Sequence, residues 1–460
     1  MSTDLDPITF GTDGWRAKTD EFTEPRVRAV AQGVANHLAA NGKAGEPLAV
    51  SYDPRENSRR FAEAIADVLA GNGHDVYIPE RDRPTPILAW TIAERGFAGG
   101  MMVTASHNPP EFNGVKFITE EGAPSMPAVT ESIESRLAEP ERKGDPGEIH
   151  DTDFLAPYAD AVFDLLEPDL DGLTVAYDAM HGAGRGVTDD LLERAGADVR
   201  RMRCDRDPTF GGSAPEPNAA HLGDLMERVA AGDADIGLAN DGDADRIAVV
   251  TEDGVLDPNF FFAIAYDAML EDDSGPAIRT VSTTFLIDRI AEAHGEAAYE
   301  VPVGFKWVAA EMKERDALIG GEESGGFAIR EHVREKDGVM MALLAGSMAA
   351  EQPFGERLDA LLAEHGEIYQ DRVSVDCPDA EKPTVFDALE ADLPDELAGT
   401  PVDSVNTADG FKLLLADGSW LLVRPSGTEP KLRVYAEAES EARVEELLDA
   451  GVSLLESVRD

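Results

Sequence analysis

The chain alternates short apolar runs, rich in β-branched residues, with longer segments whose apolar residues recur every three or four positions. Runs at residues 48–52 and 236–239 are typical of buried strands. Residues 61–69 and 222–231 have the spacing of amphipathic helices. Strands that alternate with helices in this way predict α/β units with mixed or parallel sheets.

Three predicted strands resemble one another. Residues 48–53 (LAVSYD) are similar to residues 173–178 (LTVAYD), and residues 279–283 (RTVST) form a fainter third copy. The similarity predicts repeated α/β units. The C-terminal part differs, because strand patterns at 411–415, 419–423 and 432–435 precede a helical pattern at 441–455. That part predicts a smaller α+β domain.

Polar stretches that contain proline and glycine divide the chain at residues 139–153, 253–258 and 367–382. A length of 460 residues also requires several domains, since single cores stop growing at about 250–300 residues. The predicted domains are residues 1–150, 151–255, 256–370 and 371–460.

The charge of the chain is unusually negative. Ninety-one acidic residues oppose 40 basic ones, which gives a formal net charge of −51. Such a chain repels itself at low salt, whereas at 1 M salt the Debye length is about 3 Å and exposed charges barely interact. We therefore expect a halophilic protein. A basic partner is the alternative explanation, but the acidic residues are spread along the whole chain and are not gathered in one segment. The same distribution of negative charge argues against nucleic acid as a partner.

The sequence predicts a cytoplasmic protein that does not enter a membrane. No apolar run approaches the roughly 20 residues that span a bilayer. The N-terminus carries acidic residues where a signal peptide carries basic ones. Two isolated cysteines, Cys204 and Cys377, form neither a disulfide framework nor a zinc-binding pattern.

Four loops carry candidate chemistry, and the first is the serine loop, residues 104–110 (TASHNPP). It places the hydroxyl of Ser106 beside the imidazole of His107, on a turn closed by two prolines. A small, apolar run at residues 99–103 predicts a buried strand just before it. We therefore expect a serine nucleophile presented at the surface.

The aspartate loop, residues 240–246 (NDGDADR), offers carboxylates at i, i+2 and i+4. Oxygen ligands without histidine or cysteine favour Mg²⁺ over zinc. An acidic surface loop is the alternative, but apolar runs on both sides favour a buried position. An EF-hand is excluded because Arg246 stands where its sixth position requires glycine.

Two further loops suggest a sugar phosphate. The arginine loop, residues 424–433 (RPSGTEPKLR), combines hydroxyls, a glycine and basic groups suited to a phosphate, although a hairpin turn would look similar. The glutamate loop, residues 320–326 (GGEESGG), can bind sugar hydroxyls. Lys306 lies upstream, and Arg16 follows a tight turn. Basic groups concentrated near motifs in so acidic a chain predict a pocket for an anion.

Together, in this order, the four loops resemble the α-D-phosphohexomutase family over essentially the whole chain. The resemblance implies three related α/β domains and a smaller C-terminal α+β domain around a central cleft. It also implies a phosphohexomutase that interconverts hexose 1-phosphate and hexose 6-phosphate. A phosphoserine enzyme and a hexose 1,6-bisphosphate, as intermediate and activator, would carry the phosphoryl group.

The resemblance further implies residue roles. Ser106 would carry the phosphoryl group and, with Asp241, Asp243 and Asp245, hold Mg²⁺. Lys116 matches the lysine that serves as acid or base. The charged transition state would be stabilised by Arg16, His107 and Arg246. Sugar and non-reacting phosphate would be bound by Lys306, Glu322, Ser324, Arg424, Ser426, Gly427, Thr428 and Arg433.

The sugar is less closely defined. The glutamate loop and the sequence GFKW at residues 304–307 look most like the glucose and mannose branch, and phosphoglucosamine mutase is the alternative. A Mg²⁺-dependent phosphoserine hydrolase would share the nucleophile but would not need the arginine or glutamate loops. Binding without catalysis would not require Ser106. Either a monomer or a dimer is expected.

Overall fold

The computed structural model describes residues 8–11, 13–427 and 429–458. These residues form four sheets, each in its own stretch of the chain. Within the described residues, no helix combines the length and apolar character that crossing a membrane requires.

The first unit contains a six-stranded mixed sheet. Its strands are β1 (Trp15–Lys18), β2 (Leu48–Tyr52), β3 (Val76–Ile78), β4 (Gly99–Val103), β5 (Phe112–Thr119) and β6 (Ile149–Asp151). Its helices are α1 (Glu24–Ala40), α2 (Ser58–Gly71), α3 (Thr85–Arg95) and α4 (Pro127–Glu134). The strand order is β1-β5-β4-β2-β3-β6, and the predicted boundary at residue 150 falls inside β6.

The second unit has a five-stranded sheet of order β11-β10-β9-β7-β8. Its strands are β7 (Thr174–Asp178), β8 (Asp198–Met202), β9 (Ile236–Asn240), β10 (Ile247–Thr251) and β11 (Gly254–Val255). Its helices are α5 (Leu155–Leu166), α6 (Thr188–Arg194) and α7 (Gly223–Ala230).

The third unit has a four-stranded sheet of order β13-β12-β14-β15. Its strands are β12 (Ala277–Thr280), β13 (Ala298–Val301), β14 (Ile319–Glu322) and β15 (Gly326–Ile329). Its helices are α8 (Pro258–Asp272), α9 (Leu286–His294), α10 (Phe305–Arg315), α11 (Gly338–Glu351) and α12 (Phe354–His365).

These three units share one core arrangement. The orders β5-β4-β2-β3, β10-β9-β7-β8 and β15-β14-β12-β13 correspond strand for strand. In each, a central strand pairs in parallel with two neighbours, and an antiparallel strand follows at one side. The similar sequences at residues 48–53, 173–178 and 279–283 contain or overlap the central strands β2, β7 and β12. The serine, aspartate and glutamate loops occupy or overlap the equivalent β4–β5, β9–β10 and β14–β15 connections.

The fourth unit has a different, wholly antiparallel sheet of order β16-β21-β20-β19-β18-β17. Its strands are β16 (Tyr369–Asp376), β17 (Glu396–Leu397), β18 (Thr400–Asn406), β19 (Phe411–Leu415), β20 (Trp420–Pro425) and β21 (Lys431–Ala438). Its helices are α13 (Lys382–Ala391) and α14 (Glu441–Ser457). The predicted fold class, three related α/β domains and a C-terminal α+β domain, is confirmed, while the domain boundaries stay predictions.

Helix α11 links the second and third units. It is apolar on almost every side and packs against α6, β9 and β15, as expected of a fully buried helix. The carboxylate of Asp337 caps its N-terminus by accepting hydrogen bonds from the backbone N–H groups of Val339 and Met340. A Cβ at Gly338 would lie 2.3 Å from the carbonyl of Arg246. Glycine therefore allows α11 to begin directly against the aspartate loop.

Candidate active site

Ser106 is buried, which corrects the expectation of a nucleophile presented at the surface. Strand β4 is fully buried, as predicted, but the serine that follows it has only 1% of its surface exposed. The second unit covers it: a Cβ at Gly242 would lie 2.5 Å from the carbonyl oxygen of Ser106. A glycine in the aspartate loop thus lets two units meet over the serine.

The Ser106 hydroxyl lies between the two loops. It donates a hydrogen bond of 2.7 Å to Oδ2 of Asp241 and lies 3.3 Å from Nδ1 of His107. The backbone of Ser106 has a φ of 51°, a left-handed conformation that is uncommon for a residue with a side chain. The sequence predicts a turn here, but not this backbone conformation.

The three aspartates of the aspartate loop suit a divalent cation. One oxygen from each of Asp241, Asp243 and Asp245 lies within 4.8 Å of the others. Oδ1 of Asp243 and Oδ1 of Asp245 are buried, and within the described part of the chain neither has a hydrogen-bond partner. Buried carboxylate oxygens without donors are costly unless a cation binds them. These residues therefore fit the predicted Mg²⁺ site.

Electrostatics support the same conclusion. Burial and the neighbouring carboxylates of Asp245 and Asp243 raise the pKa of Asp241 well above its usual range. A bound cation would favour its ionised form instead.

Lys116, on β5, joins this cluster from the first unit. Its Nζ lies 3.0 Å from Oδ2 of Asp243, 3.1 Å from Oδ2 of Asp245 and 2.8 Å from Oδ2 of Asp13. Burial alone lowers the pKa of Lys116, but these three carboxylates outweigh burial and raise it well above its usual range. In this arrangement Lys116 is a protonated donor.

Two members of the cluster were missed by the sequence analysis as individual residues. Asp13 pairs with Lys116, and Nζ of Lys336 lies 3.0 Å from Oδ2 of Asp245. The opposed charges of Asp245 and Glu335 outweigh burial and raise the pKa of Lys336. A lysine two residues before an apolar helix, in a chain with few lysines, could have indicated Lys336 from the sequence.

The groups expected to stabilise charge lie around the serine loop. Nη1 of Arg16 donates to Oδ1 of Asn108 at 2.7 Å. The Arg246 guanidinium, burial and Arg16 lower the pKa of His107 well below its usual range, so His107 is neutral. The structure therefore brings Arg16, His107 and Arg246 to the predicted site, with His107 as a dipole and not as a cation.

The glutamate loop rests on the aspartate loop. The backbone N–H of Ile247 donates to the carbonyl of Gly325 at 3.0 Å. Glu322 is 7% exposed, and burial raises its pKa. Its Oε1 accepts a hydrogen bond of 2.9 Å from the backbone of Gly304, and the hydroxyl of Ser324 lies 3.5 Å from its Oε2. The start of α10 is thus joined to the glutamate loop through its N-cap residue, Gly304.

Lys306 lies in the first turn of α10, two residues after Gly304. It is half-buried, and burial lowers its pKa, against a smaller opposite effect from Asp13. This electrostatic interaction connects Lys306 with the carboxylate that also pairs with Lys116. Glu322 and Ser324 are therefore adjacent in the glutamate loop, and Lys306 follows, by two residues, the glycine that binds Glu322.

In the arginine loop, two basic side chains lie next to each other. Arg424 and Arg433 are direct partners in the register of β20 and β21. Nε of Arg424 donates to Oδ2 of Asp409 at 2.9 Å, and Nη2 of Arg433 donates to Oε2 of Glu429 at 3.0 Å. The same Asp409 oxygen accepts a hydrogen bond from the backbone of Val303, which connects the arginine loop to the third unit.

Ser426 and Gly427 lie in the connection between β20 and β21. Ser426 is buried and Gly427 is exposed. The amine of Lys382 fixes the loop by donating to the carbonyls of Ser426 and Glu429, both at 2.8 Å. Thr428, which was predicted to bind phosphate, lies outside the described residues.

The chain is similar to known proteins over nearly all of its length. It is 34% identical to a probable phosphoglucosamine mutase of Methanopyrus kandleri, over 97% of each chain. It is 32% identical to a phosphoglucomutase/phosphomannomutase of Thermococcus kodakarensis, over 97% of this chain and 98% of the other. A crystal structure of a putative phosphomannomutase from Thermus thermophilus superposes with a TM-score of 0.84 at 32% identity, covering 98% and 99% of the two chains.

Four domain models match in order along the sequence. Three are α/β/α domains I, II and III of phosphoglucomutase/phosphomannomutase, at residues 7–143, 156–254 and 257–369. The fourth is the C-terminal domain of the same proteins, at residues 373–452. The chain therefore belongs to the phosphoglucomutase/phosphomannomutase family of α-D-phosphohexomutases, isomerases that transfer a phosphoryl group within a sugar phosphate.

Proposed function

We propose that this enzyme interconverts hexose 1-phosphate and hexose 6-phosphate, with glucose as the preferred sugar and mannose as a second substrate. The observation that carries the proposal is the buried Ser106 hydroxyl, hydrogen-bonded to Asp241 of the metal-ligand cluster. A serine used only for binding would not require this contact. The arginine loop supplies a second anion site for the phosphate that does not react.

In the proposed reaction Ser106 carries a phosphoryl group. The bond between phosphorus and Oγ of Ser106 breaks as a sugar hydroxyl forms a new bond to phosphorus, which yields a hexose 1,6-bisphosphate. The bisphosphate then presents its other end, and the phosphoryl group that the substrate brought is transferred to Ser106. This second transfer releases the isomeric hexose phosphate and regenerates the phosphoenzyme. Phosphoryl transfer depends mainly on alignment and on charge stabilisation, which a buried, charged cluster supplies.

The chain's own residues divide the remaining tasks. Lys116 is protonated and binds Asp243 and Asp245 in the same cluster. It would give its proton to Oγ of Ser106 as the bond to phosphorus breaks and recover the proton that the sugar hydroxyl loses. Arg16 binds Asn108 of the serine loop, His107 lies 3.3 Å from the Ser106 hydroxyl, and the Arg246 guanidinium acts electrostatically on His107. Asp241, Asp243 and Asp245 would hold Mg²⁺, with Ser106 as the fourth contributor. Bound Mg²⁺ supplies neutralisation of the charge on the transferring group.

Substrate binding follows from the other loops. Glu322 would accept hydrogen bonds from sugar hydroxyls, and Ser324 would donate a hydrogen bond to one. Lys306 would also contribute to sugar binding. The non-reacting phosphate would lie against Arg424, Ser426, Gly427, Thr428 and Arg433. The pattern GEESGG with GFKW supports glucose and mannose, whereas the relative named as a probable phosphoglucosamine mutase makes glucosamine the alternative.

A mutase assay tests this function. Purified enzyme with Mg²⁺, molar KCl and a catalytic amount of glucose 1,6-bisphosphate is given the 1-phosphates of glucose, mannose and glucosamine. We expect 6-phosphate products with kcat/KM in the order glucose, mannose, glucosamine. A higher kcat/KM for glucosamine 1-phosphate would overturn the choice of sugar. Stoichiometric release of inorganic phosphate would instead identify a phosphoserine hydrolase.

The charge of −51 supports a further part of the proposal, namely a protein adapted to high salt. The cytoplasmic location, the absence of a nucleic-acid partner and the state of monomer or dimer stay predictions.

A further inference from the structure

Arg55, in the segment that follows β2, uses its whole guanidinium group on the serine loop and its support. Nε donates to Oδ2 of Asp53 at 2.9 Å. The other four contacts are to backbone carbonyls: Nη2 donates to Ser106 and Asn108, both at 2.6 Å, and Nη1 donates to Pro109 at 2.8 Å and Phe112 at 3.0 Å. A guanidinium has five N–H donors, so every one of them is engaged.

Both sides of the Ser106 backbone are held through this arrangement. Arg55 binds its carbonyl oxygen, and the hydroxyl of Thr104 accepts a hydrogen bond of 2.8 Å from its N–H. Thr104 in turn donates to Oδ2 of Asp53 at 2.7 Å, the oxygen that also binds Arg55. Asp53 and Arg55 are 0% and 1% exposed, so water does not compete for these contacts.

The contacts of Arg55, Asp53 and Thr104, together called the clamp, hold Ser106 in a strained backbone conformation. A φ of 51° persists for a serine only where the surroundings hold it. That conformation aims the hydroxyl at Asp241 in the second unit. A serine loop without the clamp is free to relax toward ordinary dihedral angles, which would turn Oγ away from the aspartate loop.

The clamp also contacts the second unit directly. The guanidinium of Arg55 lies 4.8 Å from the ring centroid of Phe210, a cation–π contact. Arg206 donates to the carbonyl of Pro54 at 3.2 Å. Arg55 therefore lies between the serine loop and the unit that carries the three aspartates.

We propose that Arg55 is a positioning residue for phosphoryl transfer, which fixes Ser106 in line with the metal-ligand cluster through the Asp53–Arg55–Thr104 network. It acts through the serine loop, since its donors are all engaged by Asp53, by that loop and by Phe112 at the start of β5. The inference rests on the function proposed above. A lysine keeps the charge but cannot reproduce a planar fork that binds four carbonyls and a carboxylate.

The test compares R55K with the wild-type enzyme and with R330K. Arg330 makes a similar clamp in the third unit, where it binds Asp273 and the carbonyls of Ser274 and Asp316. We expect R55K to lower kcat for glucose 1-phosphate by about 100-fold, the effect of a misplacement near 1 Å, and to change KM less than about threefold. R330K should lose thermal stability but keep its kcat.

A spectroscopic measurement separates positioning from stability. The ³¹P resonance of phosphorylated Ser106 should shift and broaden in R55K and stay unchanged in R330K. Wild-type kcat in folded R55K, with an unchanged ³¹P signal, would overturn the inference. An inactive wild-type enzyme would instead overturn the proposed function.

A second pair of variants keeps the inference testable if R55K does not fold. T104V removes the hydroxyl that links Asp53 to the N–H of Ser106, and T104S retains it. We expect kcat to fall at least 10-fold in T104V and to recover in T104S, with KM little changed in both. Equal kcat values for the two variants would contradict the proposal that the Thr104 hydroxyl helps to position Ser106.

Discussion

Arg424 and Arg433 face each other directly across β20 and β21, and each binds a different carboxylate. Like charges in directly opposed positions of an antiparallel pair destabilise a sheet. Asp409 and Glu429 offset that repulsion in the free protein. A phosphate dianion between the two guanidinium groups would do so more effectively, through charge-assisted hydrogen bonds.

Replacing either arginine should therefore weaken substrate binding. We expect R433Q to raise KM for glucose 1-phosphate by about 10- to 100-fold, corresponding to a lost charge-assisted hydrogen bond. R443Q is the matched control, because Arg443 lies in the same unit but binds Thr400 and Glu446. Steady-state kinetics at fixed ionic strength give the comparison, and an unchanged KM in R433Q would remove this loop from the phosphate site.

The Ser106 hydroxyl should be indispensable. S106A removes the atom that carries the phosphoryl group, and we expect mutase activity to fall by at least about 10³-fold, as for other nucleophiles that act within a catalytic unit. Mass spectrometry of wild-type enzyme incubated with glucose 1,6-bisphosphate should find the added phosphoryl group on the peptide containing Ser106. S125A, which removes a hydroxyl that donates to the carbonyl of Phe117, should stay active. Phosphorylation at another residue would contradict the mechanism.

Sequence patterns predicted the loops much better than their surroundings. The aspartate, serine and arginine loops are local motifs, because each consists of neighbouring residues whose types and spacing indicate what the loop can bind. Burial of Ser106 was not predictable in this way, since it depends on the close approach of Gly242 from another unit. Arg55 and Lys336 lie more than 50 and 90 residues from the groups they serve, so only the fold reveals their partners.

The repeated architecture shows a similar limit. The short similarity among residues 48–53, 173–178 and 279–283 identified the central strands of three equivalent sheets. It could not show that the serine, aspartate and glutamate loops occupy equivalent connections. That relationship is topological, because the loops themselves have no sequence in common.

Removing Mg²⁺ should stop the reaction and lower stability. We expect EDTA to reduce activity at least 100-fold and added Mg²⁺ to restore it. Because a ligand at 100 times its Kd stabilises the folded state by about 2.7 kcal/mol, Mg²⁺ should also raise the Tm. D243N should lose that rise, whereas D233N, an exposed site in the same unit, should keep it. A Tm rise that survives in D243N would place the cation elsewhere.

The buried amine of Lys412 should make stability depend on pH. Nζ donates to the carbonyl of Val281 at 2.8 Å and to Glu300 at 2.6 Å, and it lies 4.1 Å from the ring centroid of Trp420. Burial, with Arg279 nearby, lowers the pKa of Lys412 to about 8. The unfolded chain has the ordinary lysine pKa of about 10.4. Protonating the buried amine is therefore less favourable in the folded state than in the unfolded chain. The stability associated with Lys412 is complete above the unfolded-state pKa and is lost as the pH falls through about 8.

Comparison with K412M isolates this effect. Between pH 8 and pH 10 the unfolding free energy of the wild type should rise relative to K412M by roughly 2 kcal/mol. Urea denaturation at the two pH values measures the difference. K143M, which alters an exposed lysine, should follow the wild type at both. A wild-type advantage that does not change with pH would mean that Lys412 keeps its ordinary pKa.

The acidic surface should make stability depend on salt. With a net charge of −51, repulsion acts over about 10 Å at 0.1 M salt but only about 3 Å at 1 M. We therefore expect the Tm to rise by at least several degrees between 0.1 M and 2 M KCl.

A general salting-out effect would also raise the Tm, so a variant with fewer charges is needed as a control. Glu445, Asp449 and Glu456 lie exposed along α14. Glu445 and Asp449 are four residues apart, a spacing at which like charges destabilise a helix. The triple variant E445Q/D449N/E456Q should be more stable than the wild type at 0.1 M KCl, and the two should converge at 2 M. A constant difference across that range would show that charge repulsion does not limit stability at low salt.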